Sequence, residues 1–449
     1  MHESRISALN TAAVRRGRYV LYWMQASQRA VDNPALDVAV ERANDLSLPV
    51  LCVFGLSSSY PEANLRHYAF MLEGLAETRV RLAEIGVQLA VLLVEPYEAA
   101  LQCAADAALV VCDRGYLRLQ KKWRVRVAQG SPCMVLQVEG DVVVPVAAAS
   151  TKREWSAATI RPKIHRLMDA FLSAPRSPRP RRDSMGIRIA GDVGSLSPAL
   201  LDSLPLDRSA APVRDVTGGT GRAFLLLKDF VNGKLAYYGN ERQDPSLGMQ
   251  SRLSPYLHFG QISPVRIARA VADARGVTDG ARAAFLEQLI VRRELAMNFA
   301  EYAPDYDRFG SLPAWARKTL AAHEHDPRPY RVTAARMEAA ATDDPYFNAA
   351  MREMKLTGRM HGHMRMYWGK KILAWCPTPA AAFRTALRLN NRWFLDGRDP
   401  NSYAGVAWCF GLHDRPWGER PIFGMVRYMN DTGLRRKFAM ESYLRDFGA

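Results

Sequence analysis

No apolar run in the sequence approaches the 18 or so residues that a membrane-crossing helix needs, so no spanning segment and no membrane partner are expected. Met1 to Arg18 carries charges without an apolar stretch and small-residue cleavage site behind them, which argues against a secretory signal and for a cytoplasmic protein. Cysteine is sparse and scattered: Cys52, Cys103, Cys112, Cys133, Cys376 and Cys409 form no C-x-x-C pair, so buried thiols are expected rather than a disulfide framework or a zinc or iron-sulfur site. Also missing is a G-x-G-x-x-G turn after the first strand-like run, so the dinucleotide fingerprint is absent and the pattern there names no ligand. The last deficit is in acid. Asp and Glu number 45 against 61 Lys and Arg, a net charge of +16, and a surplus of that size points to an acidic partner, nucleic acid first and an anionic surface second.

What is present is ordinary in bulk and specific in detail. With 449 residues, 48% hydrophobic and 24% charged, the chain has room for two or three domains with large cores and is neither collagen-like nor disordered. From Arg18 to about Val146, short apolar runs such as Tyr19–Trp23, Val50–Phe54, Val87–Val94 and Ala108–Cys112 alternate with stretches of helical period. Continuous apolar strands separated by helices predict a parallel, doubly wound α/β sheet over 18–150. Residues 151–221 read as an interdomain linker; prolines crowd in from Pro175 (Pro178, Pro180, Pro198, Pro205, Pro212) with Arg176, Arg179, Arg181 and Arg182 among them, a solvated basic loop that could touch phosphate. Over 222–449 strand-like alternation vanishes, and helices are expected at 222–232, 255–259, 264–275, 279–299, 333–340, 346–375, 378–391 and 417–428. Trp368, Trp375, Trp393, Trp408 and Trp417 cluster in this all-α part, as a cofactor or base-stacking pocket or plain aromatic packing would require.

Three segments carry chemistry. In QSRLSPYLHFGQI, Ser254 is placed as N-cap and Pro255 as first helical residue, so the helix start with Ser251 beside it forms either an anion cradle or simply a well-capped end. In RMHGHMRMYWGKKILAW, read as a helix, His361, Arg365 and Trp368 share one face, and Arg365 among apolar neighbours calls for a carboxylate, with Asp396 and Asp399 of LDGRDPNSY available. His361 and His363 point to different sides, so a metal pair is not expected. In FLEQLIVRRELAMNF, Arg293 and Glu294 read as a surface salt bridge, while Glu287 could face a ligand carbonyl.

Taken together, YLHFGQIS, FLEQLIVRREL, RMHGHMRMYWGKKILAW, LDGRDPNSYAGVAWCFGLHDRPW and FGMVRYMN, with YWMQASQRA and REWSAATIRPKI upstream, resemble the photolyase and cryptochrome superfamily, specifically class II cyclobutane pyrimidine dimer photolyases. The resemblance spans about 18–445. It implies an α/β antenna-type domain and a helical domain holding FAD above a DNA-binding face. It also implies light-driven splitting of dimers in UV-damaged DNA by an electron from reduced FAD, a carbon-carbon lyase reaction without net redox change. Residue by residue, it assigns Tyr238, Ser251, Leu253, Ser254, Arg292, Arg365, Asp396 and Asp399 to the cofactor, with Arg365 paired to Asp396. Asn390, or alternatively Asn401, would supply an amide near flavin N5; Met366 and Trp408 would contact the lesion, and Glu287 a pyrimidine carbonyl. Trp368 and Trp375 would carry electrons, and Arg427, Arg435, Arg436 and Lys437 would meet phosphates. Three positions depart from the class pattern. Gln288 stands where a second acid is usual, Met297 replaces an acid before Asn298, and Phe347 replaces a relay tryptophan, so photoreduction would use Trp375, Tyr346 or another route, or be inefficient. A second antenna chromophore of unknown identity and a monomeric state are expected. The alternatives are a cryptochrome-like blue-light sensor, which a long C-terminal tail would favour, and a colourless basic helical nucleic-acid-binding protein.

Overall fold

The structure is a computed structural model that describes residues 2–173 and 176–448; Pro175, where the proline-rich run begins, lies outside the described residues. Six strands, β1 (Ile6–Ala8), β2 (Tyr19–Trp23), β3 (Val50–Gly55), β4 (Gln88–Leu92), β5 (Ala107–Asp113) and β6 (Val135–Val138), form one sheet in the order β1-β6-β5-β2-β3-β4. All neighbours run parallel except β1, which pairs antiparallel with β6. Every residue of β2, β3 and β5 is buried, because alternate side chains enter two different cores: Val20, Tyr22 and Cys52 on one face, Leu21, Trp23 and Leu51 on the other. The doubly wound α/β expectation is met, with the sheet extended by a strand upstream of Arg18. Strand order reverses between β2 and β5, the place where such sheets open a crevice at their carboxyl edge.

The remainder is largely helical, and helices also enter the stretch read as linker. Ala157–Phe171 buries Ile160 and Ile164, and Pro198–Ser203 buries Leu201. Three helical readings are corrected. Residues 346–375 form two helices, Pro345–Thr357 and Gly362–Trp375, because Gly358 takes the left-handed conformation (φ 66°) that ends a helix and His361 caps the next. The helix over 279–299 carries a π-helical turn at Glu287–Arg292. Residues 417–428 are not helical: Pro421 interrupts them, Ile422 and Gly424 have positive φ, and Arg420 bridges Gly424 instead.

The two parts meet through buried arginines. Arg66, on the helix Leu65–Ala83, donates to the carbonyls of Trp393 (2.7 Å) and Lys355 (2.9 Å). Arg29, fully buried, donates to the carbonyls of Gly260 (2.8 Å) and Gly140 (3.3 Å). Gly260 has φ 66°, and a Cβ there would lie 1.8 Å from the Ala26 carbonyl, so only glycine permits this approach. No helix among the described residues is long and apolar enough to cross a membrane, and all six cysteines are free and buried.

Candidate functional site

A cleft of about 450 Å³ opens in the helical part. Among the residues singled out above, its wall gathers Tyr238, Ser251, Leu253, Ser254, Arg292, Arg365, Met366, Asp396, Asp399 and Trp408, with Gln288, Arg293, His361 and Asn401 beside them. They come from five separate stretches of chain and meet only in the folded protein. Tyr238 is wedged edge-on against Phe230 and Phe285, which sets its ring beside the cleft. The 250–254 loop turns on Arg252, whose φ of 61° is the left-handed region, before a five-residue helix Ser254–His258; Leu253 rather than Ser254 is the cap residue, and the Ser251 hydroxyl accepts from the Leu253 N–H at 3.4 Å. Arg252 and Arg359, which also line the wall, escaped the sequence reading; the left-handed arginine could not be inferred from residue type.

Arg365 lies with its guanidinium 4.0 Å from the Phe394 ring centre and 3.7 Å from Asp396, the partner expected for it. That pairing is incomplete. Arg365 Nε and Asp396 Oδ1 are buried without hydrogen-bond partners in the protein, as are Trp408 Nε1, Gln250 Nε2, Arg359 Nε and His413 Nε2 on the same wall. Buried polar atoms left open at one cavity mark where a ligand's polar groups would sit. Five arginines (Arg252, Arg292, Arg293, Arg359, Arg365) face three carboxylates (Glu353, Asp396, Asp399) around the cleft, a balance suited to an anionic ligand. Burial pushes the Glu353 carboxyl up, and it accepts from the Tyr443 hydroxyl at 2.6 Å. Burial would raise Asp399 too, but its hydrogen bond from His258 (3.2 Å) wins and holds it below the usual carboxylate range. Its other oxygen fastens the Asn401 side chain at 2.9 Å, and Asn401 lines the cleft.

Other residues are placed elsewhere. Asn390 is fully buried and absent from the lining, yet its Oδ1 has no partner in the protein while Nδ2 donates to Asn391. Glu287 requires correction: its carboxylate is held by Arg161 (2.7 and 3.0 Å) and Arg292 (3.1 Å), and Gln288, one residue along the π-turn, lines the cleft. Arg293 and Glu294 are not a surface pair. Both are buried; Arg293 binds Asp141 at 2.7 Å, and Glu294 accepts from the backbone N–H groups of Val143 and Val144, with burial pushing its carboxyl up to about 8. Met297 is buried in the apolar core. Trp368 is buried and donates to the Met351 sulfur at 3.0 Å. Trp375 packs edge-on against Phe347 (4.9 Å) and Tyr330 (5.5 Å) and lines a separate groove with Tyr346, Lys371 and Arg435. Arg427 lies 4.4 Å over Trp417 and is paired with Asp414; Arg435 is paired with Asp431, and Arg436 and Lys437 are exposed. Among the described residues no group of three or more His, Cys, Asp or Glu side chains is arranged to hold a metal ion.

A second cavity of about 140 Å³ sits at the carboxyl ends of β2, β3 and β5, lined by Met24, Gln25, Phe54, Tyr60, Tyr68 and Trp123 among others. Both polar atoms of the Gln25 amide are buried and open there, and His258 and Asp399 line this cavity as well as the larger cleft.

The DNA photolyase family model matches residues 20–181. A deoxyribodipyrimidine photo-lyase of Methanothermobacter thermautotrophicus is 47% identical over 446 residues, covering 99% of this chain and 98% of that protein. Among solved structures, a cryptochrome of Synechocystis sp. PCC6803 superposes with a TM-score of 0.78 at 16% identity, covering 96% of this chain and 88% of that one. An archaeal photolyase of Sulfolobus tokodaii, solved with two FAD molecules, superposes with a TM-score of 0.71 at 16% identity, covering 95% and 89%.

Proposed function

This chain belongs to the photolyase/cryptochrome superfamily, among the DNA photolyases, and from that premise we propose that it is a class II, light-dependent repair lyase that splits cyclobutane pyrimidine dimers in UV-damaged DNA. The observation that carries the reading is the cleft, where open buried polar atoms and a surplus of arginine surround an aromatic and thioether wall. These groups fit FAD, an anion with a flat polar ring. When bound and reduced, FAD supplies a photoexcited electron donor that regains its electron once the cyclobutane bonds have opened.

The chain's own residues do the rest. Ser251, Leu253 and Ser254, with Arg252 and Arg359, hold the diphosphate, and Tyr238 packs beside it. Arg365 and Asp396, each with an unused polar atom, bind the flavin ring edge and keep it oriented; Asp399 secures Asn401, whose amide lines the cleft and serves the reactive edge in place of the buried Asn390. Trp408 offers a stacking face and Met366 a soft contact to unstacked pyrimidines, the substrate form that a base-flipping enzyme must accommodate. Gln288, in place of Glu287, donates an amide N–H to a pyrimidine carbonyl as negative charge develops there. Arg292 borders the substrate side, Trp368 and Trp375 pass electrons during cofactor reduction, and Arg427, Arg435, Arg436 and Lys437 contribute to phosphate contact. The smaller cavity accepts a second, light-harvesting chromophore at the sheet's carboxyl edge. A monomer completes the proposal.

The test is repair of a thymine-dimer oligonucleotide by purified protein with its flavin chemically reduced. Loss of the dimer only under illumination is expected. Bound reduced FAD with no dimer loss in the light would overturn the lyase assignment and direct attention to light sensing.

A further inference from the structure

At the mouth of the cleft two guanidinium groups share one carboxylate. Arg161, on the helix Ala157–Phe171, grips Glu287 with two parallel hydrogen bonds of 2.7 and 3.0 Å, and Arg292 adds a third of 3.1 Å. The π-helical turn over Glu287–Arg292 makes the last contact possible, because its wider register brings residues five apart onto one side. A structural ion pair needs one cation per anion; this group keeps an uncompensated positive charge. It is also accessible: the Arg161 and Arg292 side chains are 36% and 39% exposed. Arg292 lines the cleft, whereas Arg161 comes from the segment joining the sheet to the helical part. Six residues upstream, just before the same helix, Trp155 is 57% exposed, and its carbonyl accepts a hydrogen bond from Nδ1 of His413, another cleft residue, at 2.9 Å. Residues 155–161 therefore border the opening at two points, through the Trp155 carbonyl on His413 and the Arg161 guanidinium on Glu287.

We propose that Arg161, Glu287 and Arg292 form a receiver for a DNA backbone phosphate beside the unstacked nucleotides, in which Glu287 is a built-in competitor that holds both guanidinium groups in place until a phosphate displaces it. The proposal rests on the photolyase reading above. Arginine forks accept phosphate oxygens in the same two-pronged geometry they use for a carboxylate, so exchange of one anion for the other requires no rebuilding of the site. Glu287 is thus a positioning residue whose charge opposes the ligand, while Arg161 is a binding residue.

That arrangement predicts effects of opposite sign. Holoenzyme with reduced FAD is titrated in the dark with a dimer-containing oligonucleotide and its undamaged counterpart at several salt concentrations. Arg161→Gln is expected to weaken binding of both about tenfold and to lower the slope of log affinity against log salt by about one. Glu287→Gln is expected to tighten binding several-fold, with the slope no shallower than the parent's, because the phosphate no longer competes with a carboxylate. Arg161→Lys should recover the slope and part of the affinity. A purely structural triad behaves otherwise: Glu287→Gln then weakens binding, or Arg161→Gln leaves affinity and slope unchanged, and either result overturns the proposal. FAD content and visible spectrum establish that each variant is folded. If the parent binds and repairs dimers while these slopes stand still, only the receiver falls; if the parent does not bind DNA, the repair reading falls with it.

Discussion

Gln288 and Glu287 are adjacent in sequence and opposite in circumstance. The acid is occupied by two arginines, and the amide faces the cleft. Replacing Gln288 by leucine, close in size and without a donor, should slow repair about tenfold, corresponding to about 1.4 kcal/mol for one hydrogen bond to developing charge, with FAD content unchanged; single-turnover dimer loss after a light flash measures it. Glu294 makes a different prediction. Its folded carboxyl is pushed by burial up to about 8, well above its value in an unfolded chain, so the folded state binds the extra proton. The stability this contributes is complete below the unfolded value and is lost as pH rises toward 8, with a slope of about 1.4 kcal/mol per pH unit. Glu294→Gln keeps an acceptor for the Val143 and Val144 N–H groups and removes the titration. The difference in melting temperature between parent and variant should therefore change steadily between about pH 5 and pH 8 in the variant's favour.

At the scale of elements, the helices Pro345–Thr357 and Gly362–Trp375 place Phe347 edge-on against Trp375, with Trp368 buried two turns earlier on the same helix. A phenyl ring is far harder to oxidise than an indole, so the Phe347 ring packed on Trp375 cannot relay an electron as an indole at that position would. Phe347→Trp should accelerate light-driven reduction of the oxidised cofactor, followed as bleaching of its visible absorption in the presence of a thiol, and leave repair by chemically reduced protein nearly unchanged. The larger ring enters a fully buried position and should lower stability by about 1–3 kcal/mol. These two helices also illustrate what periodicity can and cannot reveal. Apolar spacing ran unbroken through 346–375, but Gly358 and the His361 cap divide it, and the division aims Arg365 at Asp396.

For the whole molecule the decisive contact is between sheet and helical part. Arg66 supplies buried carbonyls of Lys355 and Trp393 with their donors. Arg66→Met should strand them and cost about 2–4 kcal/mol, seen as a lower melting temperature and, because His258 and Asp399 stand between the two cavities, as weaker retention of FAD on gel filtration. Gly260→Ala should be at least as damaging, since its Cβ meets the Ala26 backbone at a positive φ.

Much of this protein was legible in one dimension. Continuous apolar strands alternating with helical periods implied a doubly wound sheet, because burial on both faces leaves no polar alternation to hide it. The +16 charge implied an acidic partner, and long local motifs carried the family resemblance together with most of the cleft's residues. What sequence could not decide was direction. Whether Glu287 or Gln288 faces the cleft depends on a π-turn. Whether Arg293 and Glu294 are exposed depends on Asp141 and the Val143–Val144 backbone, some 150 residues upstream. That 157–171 packs as a helix within the presumed linker, and that Arg161 thereby reaches Glu287, depends on how two separately coded units dock. Local pattern records which residues must leave water; only tertiary structure determines which charged group meets which, because such meetings bring together residues far apart in the chain.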